Sequence, residues 1–169
     1  DYMAGMTYAN CTTCGKTNDA VLSKAMKDNA MGQIKYIYLN VAWTLPVFQN
    51  DDILVGQLTS FLNTSGNCLF VSGQDVAWDI FTPVASFGHG TPAQQAFFTN
   101  FLIAAYVGDG GATNTPLTAN SSDAIFGSAG SIALSNSVYT SANFFPDDIN
   151  TAGIGQAIFY YNGNAAKKA

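Results

Sequence analysis

Residues 50–75 read NDDILVGQLTSFLNTSGNCLFVSGQD, and this stretch decides the fold. Asn50 offers a side-chain acceptor to the first helical N–H groups, and Asp51 and Asp52 follow it where a helix dipole favours negative charge. Ile53, Leu54, Leu58, Phe61 and Leu62 then recur as one apolar stripe, and Gly66 ends the helix. Cys68 to Ser72 (CLFVS) is a short apolar run bounded by turn residues, the pattern of a central parallel strand covered on both faces. Gly73 opens a sharp turn into Gln74-Asp75-Val76-Ala77-Trp78-Asp79, a predicted short helix.

Upstream, Ile34 to Trp43 (IKYIYLNVAW) reads as a buried strand closed by Pro46. Before it, Ala20, Val21, Lys24, Ala25 and Asp28 follow helical spacing within Thr17 to Ala30, with Thr17 or Asn18 as cap and Gly32 as stop. Downstream comes a loop holding Pro83, Gly88, His89 and Gly90. Thr91-Pro92 then opens a helix expected to contain Phe97, Phe98, Phe101, Leu102 and Ala105. A Gly/Asn/Thr-rich turn follows over Gly108 to Asn114. Beyond Pro116, Ala124 to Phe126, Ser131 to Leu134 and Ala157 to Tyr161 are short apolar runs that read as strands and loops. This order predicts a single α/β layered domain over residues 1–169, with a mainly parallel central sheet and a β-rich C-terminal part. The polar segment Asn162 to Ala169 is expected to be frayed or to mark where a larger parent chain was cut, and Asp1-Tyr2-Met3 reads as an excised boundary.

Of the 169 residues, 48% are hydrophobic and only 10% charged, so neutral polar groups must cover much of the surface. All six basic residues are Lys and all eleven acidic residues are Asp. Without Arg there is no bidentate fork for phosphate, and a net charge of −5 repels nucleic acid and anionic membranes. No run of about 18 apolar residues is present, so no membrane-spanning helix is expected. The Asn/Ser/Thr/Gly-rich, lysine-poor character favours an extracytoplasmic setting, secreted or at a cell surface, where a disulfide would persist.

The segment Leu62 to Asp75, with its Leu69-Phe70-Val71-Ser72-Gly73-Gln74-Asp75 core, resembles a pattern in accessory domains of large secreted bacterial proteins. Phe97 to Tyr106, Asp123 to Phe126 and Phe145-Pro146-Asp147-Asp148-Ile149 are similar too, so the likeness covers residues 34–161 and leaves 1–33 as a divergent, cysteine-bearing start. Those domains look like the class I glutamine-amidotransferase-like family. The resemblance implies a flavodoxin-like three-layer sandwich. In catalytic members the strand-to-helix turn carries a cysteine nucleophile served by a histidine and an acid. Here that turn holds Gly73-Gln74-Asp75, and Cys68 stands at the start of the strand, so the resemblance implies the scaffold without its nucleophile.

Several motifs carry candidate chemistry. Cys11-Thr12-Thr13-Cys14 has the spacing of thiol redox sites, and equally of a structural disulfide, either Cys11–Cys14 or one of them with Cys68. A zinc site would have to gather Cys11, Cys14, Cys68 and His89 across the fold, and no metal is expected. Gly15-Lys16-Thr17 echoes a phosphate-binding loop, but Asn10 stands where that loop needs glycine. Ser72 with His89 invites a hydrolase reading, yet Phe70 replaces the glycine a nucleophile elbow needs. Gln74 and Asp75 lie at the carboxyl end of the strand, where open α/β sheets bind ligands, or Asp75 caps the following helix and Trp78 packs on the sheet. Asp109-Gly110-Gly111 and Asp147-Asp148 lack calcium-loop spacing and read as turns. Asn10, Asn63 and Asn120 begin N-x-Ser/Thr triplets.

The function expected from these readings is a non-catalytic accessory module, without cofactor, in stabilisation, adhesion or assembly. Its partners would be copies of itself or neighbouring domains of a parent protein. The alternative is a thiol-disulfide or cysteine-dependent enzyme using Cys11 and Cys14.

Overall fold

The computed structural model describes residues 35–40, 52–82, 90–110, 116–133 and 146–169. Its elements run β1 (Tyr36–Asn40), α1 (Asp52–Leu62), β2 (Cys68–Ser72), α2 (Val76–Phe81), α3 (Pro92–Asn100), β3 (Ala104–Gly108), β4 (Leu117–Ala119), β5 (Ser131–Ile132), β6 (Asp148–Thr151) and β7 (Phe159–Tyr161). A 3-10 turn, Gly127–Ala129, sits between β4 and β5.

The helix-turn-strand at the heart of the sequence forms as the pattern predicts. α1 buries Leu54, Val55, Leu58 and Phe61. Ile53, expected in that stripe, faces solvent, and Val55 takes its place because the buried arc is centred one residue later. Gly66 adopts φ +82°, the left-handed backbone that lets the chain reverse into β2 without a Cβ clash. Asn50 and Asp51, the expected cap and first-turn acid, lie outside the described residues.

The mainly parallel three-layer sandwich does not form. β1 and β2 are parallel in register from Tyr36 against Cys68 to Asn40 against Ser72, but among the described residues this sheet has only two strands. β3 pairs antiparallel with β6, and β4 lies between β5 and β7 in a second antiparallel sheet. Among the described residues the flavodoxin-like arrangement is therefore corrected to a parallel pair with three helices beside small antiparallel sheets. The sequence misleads here because hydrophobic runs do not reveal how many faces are covered. Ile37, Leu39, Leu69 and Val71 point to the helices, whereas Tyr36, Tyr38 and Phe70 are 63%, 68% and 41% exposed. Among the described residues the pair is thus covered on one face and not on both.

The helix opened by Thr91-Pro92 also ends sooner than its apolar spacing predicts. Ile103 takes φ +54°, a conformation a β-branched side chain resists, and the chain turns there into β3, so Ala105 lies in a strand. At the other end of α3, Thr91 and Gln94 form a reciprocal capping box. Gln94, fully buried, accepts from Thr91 N through Oε1 and donates through Nε2 to Asp52, which ties the starts of α1 and α3 together.

The core gathers Leu54, Leu58, Phe61, Ala77, Ile80, Phe97, Phe98 and Ala104 from α1, α2, α3 and the start of β3. Phe81 lies edge-on to Phe98 and stacks on Tyr106, so aromatic contacts join α2, α3 and β3. The C-terminal segment is not frayed. Lys168 bridges both Ile149 of β6 and Tyr160 of β7, Tyr161 N donates to Lys167 O, and Ala169 N donates to Phe159 O. These backbone bonds stitch β6 and β7 together through residues whose polarity gave no sign of it.

Candidate functional site

The carboxyl end of β2, the expected place of a nucleophile or ligand, opens on a cleft but holds its polar groups in bonds to the chain itself. Ser72 and Gly73 are exposed, while Gln74 and Asp75 are half-buried. Gln74 Nε2 donates to Asp75 Oδ2 at 3.3 Å. Asp75 stands in the N-cap position of α2, but its side chain makes no capping bond. The expected cap role passes instead to Asp147, which is distant in sequence. Ala77 N donates to Asp147 Oδ2 at 2.7 Å, and Trp78 N is shared between Oδ2 at 3.1 Å and Oδ1 at 3.2 Å.

Asp147 is the hub of this end of the molecule. Only 7% exposed, it also donates its own N–H to Gln74 O at 2.7 Å and accepts from Tyr161 Oη at its carbonyl at 3.0 Å. One residue thereby bonds the β2–α2 turn, the start of α2 and β7. Asp75 and Asp109 act on its charge, and Asp75 acts on that of Asp79. Burial first, then the charge of Asp109, lifts Asp75 to about 6 against the pull of Gln74, and burial with the charge of Asp75 lifts Asp79 to about 6. Burial lifts Asp147 furthest, to about 8; the Trp78 and Ala77 N–H bonds oppose this, and the charges of Asp75 and Asp109 add to it. Tyr161 and Tyr106 are raised as well, chiefly by burial.

Of these groups Asp147 and Tyr161, with Gln74, line a largely apolar cleft of about 740 Å³ between the β2–α2 turn and the antiparallel strands, with Phe98, Leu102, Phe126, Ile149, Phe159 and Lys168 also in its walls. Carboxyls that titrate near neutrality in a cleft have the protonation behaviour of general acids and bases. What they face is the chain's own backbone: both oxygens of Asp147 are held by α2 N–H groups. Among the described residues no three His, Cys or Asp side chains are grouped to hold a metal ion.

Cys68 is a free, exposed thiol at the start of β2. Its side chain points to the solvent face of the strand, one residue out of phase with the inward Leu69. Cys11, Cys14 and His89 lie outside the described residues, as do Gly15-Lys16-Thr17 and Asn10. Asn63 is exposed in the turn after α1. Asn120 is half-buried, donating Nδ2 to Ala157 O at 2.9 Å. Of the two acidic loop pieces, Asp147 and Asp109 are brought to Asp75, while Asp148 pairs with Lys167 at 3.6 Å. No family model, curated protein or solved structure matches the chain. Among the described residues no helix is long and apolar enough to cross a membrane.

Proposed function

We propose that the protein is a non-catalytic module of a secreted or cell-surface bacterial protein, and that it works in assembly with copies of itself. The observation that carries this reading is the outer face of the β1–β2 pair. Tyr36, Tyr38 and Phe70 stand exposed together there, with the Tyr38 and Phe70 rings 5.9 Å apart, beside Cys68 and Ser72 and no charged group on those five positions. Contiguous exposed aromatic surface on a weakly charged protein favours association, and rings of this kind anchor interfaces. Two such faces meet without burying a charge. The use of Gln74 and Asp147 in internal bonds supports a structural role for the carboxyl end of β2. The likeness of Leu69 to Asp75 to accessory domains of secreted proteins supports the compartment.

Light scattering over a range of concentrations tests the reading: the mean mass should rise with concentration. A thiol titration followed by mass analysis separates it from the cysteine-dependent alternative. Cys68, which is exposed, is expected to be accessible to the reagent. A fast-reacting Cys11 that reduces a test disulfide would replace the assembly reading with a redox one.

A further inference from the structure

We propose that Ile154 is a docking knob, which enters the apolar cleft of a second copy of this chain. The inference rests on the assembly reading above and names the residues through which the copies engage.

The knob is built by the turn that follows β6. Gly153 takes φ +50°, and Gly155 N donates to Ala152 O at 2.8 Å, which closes a β-turn with Ile154 at its tip. The turn is held from beneath. Ala152 N donates to Ile103 O at 2.9 Å, and Gly155 lies so close to the Ile103 carbonyl that a Cβ would not fit. Ile154 is left 96% exposed, more than any other large hydrophobic among the described residues. Folding thus gains nothing from this side chain, whereas association can bury it, and a turn already fixed loses little freedom in docking.

The hole lies next to the knob. Ile103 and Thr151, which anchor the turn and precede it, and Gln156, which follows it, line the cleft of about 740 Å³. A cleft of that size holds a drug-sized ligand, so an isoleucine and its turn can enter. A knob beside a hole on one surface is self-complementary: about a two-fold axis, each copy gives Ile154 and receives it. The charges agree. Residues 152–158 (AGIGQAI) carry no charged side chain, so docking takes no charge into apolar walls, and Lys168 in the wall suits the carbonyl oxygens of an entering turn. The cleft is also continuous with the outer face of β1 and β2, because Phe70 and Ser72 line it too. Aromatic face, cleft and knob form one surface.

The test is sedimentation velocity of the full chain beside an Ile154→Asp variant, with circular dichroism to show that the exposed substitution leaves the fold unchanged. The variant is expected to associate at least about tenfold more weakly than the wild type. In a second arm, Ile154→p-benzoylphenylalanine is prepared in ¹⁴N and ¹⁵N forms, mixed and irradiated. Cross-links that join the two isotopic forms are expected at peptides holding Leu102, Phe126 or Phe159. An Ile154→Asp variant that associates as the wild type does overturns the knob and leaves assembly through the aromatic face standing. A wild type that stays monomeric overturns both. Cross-links confined to one isotopic form or falling outside the cleft overturn the docking, as does an apolar small molecule retained by the wild type in native mass spectra.

Discussion

Replacing Asp147 by alanine tests the hub in energetic terms. The substitution leaves the Ala77 and Trp78 N–H groups without their acceptor, and Ala77 is only 1% exposed, so water does not readily replace it. A buried donor left unpaired costs about 1–3 kcal/mol, and with the half-buried Trp78 N–H counted at about 1 this gives ~2–4 kcal/mol for the pair at pH 5, where the wild-type carboxyl is protonated. For a chain of this length that corresponds to a drop in Tm of about 5–15 °C. The cost should shrink with pH. A carboxyl whose folded pKa stands at about 8, above its ordinary 3.8, binds its proton more tightly in the native state. Its contribution is complete below the unfolded value and is lost as pH rises through about 8. Above that, alanine removes an unfavourable buried charge along with two hydrogen bonds, and the net loss at pH 9 should be under about 1 kcal/mol. Urea unfolding followed by circular dichroism at pH 5 and pH 9 measures both. Equal losses at the two pH values, or no loss at pH 5, would refute the reasoning.

Phe61→Ala removes a ring that is 1% exposed in the centre of the core and should cost about 3–5 kcal/mol in urea unfolding. Thr91→Ala breaks the capping box and should cost about 1 kcal/mol, with the first turn of α3 losing amide protection. Gly155→Ala should destabilise by at least ~1 kcal/mol, because a Cβ there would stand 2.5 Å from Ile103 O, a backbone atom already held in a strained turn; thermal unfolding reads this directly.

Local structure was legible in the sequence wherever one chain segment decides it. Leu54, Leu58 and Phe61 mark the buried side of α1, Gly66 its exit, and Thr91-Pro92 with Gln94 the start of α3. β1 and β2 were instead expected as wholly buried runs, although an alternation stands in the sequence, Ile37 and Leu39 against Tyr36 and Tyr38, Leu69 and Val71 against Cys68 and Phe70. Total hydrophobicity masked it, since tyrosine and phenylalanine count as core residues until something is shown to cover them. Strand partnering was not legible. The pairing of β3 with β6, and of β6 and β7 with Lys168, joins segments far apart in sequence through backbone groups that every residue carries. The same holds for the candidate site. Asp75 looked like the cap of α2 because it stands next to the helix, yet Asp147, 70 positions from Ala77, accepts the bond. Its only mark in the sequence is an Asp-Asp pair after a proline, which reads equally well as a turn.

The central claim, assembly through the outer face of β1 and β2, is tested most directly by sedimentation velocity of the full chain beside a Tyr36→Ser/Tyr38→Ser/Phe70→Ser variant. These side chains point away from the core, so the variant should keep the wild-type circular dichroism spectrum. The wild type is predicted to gain mass with concentration while the variant stays at the monomer mass. A wild type that remains monomeric throughout, or a variant that associates as strongly as the wild type, would contradict the account.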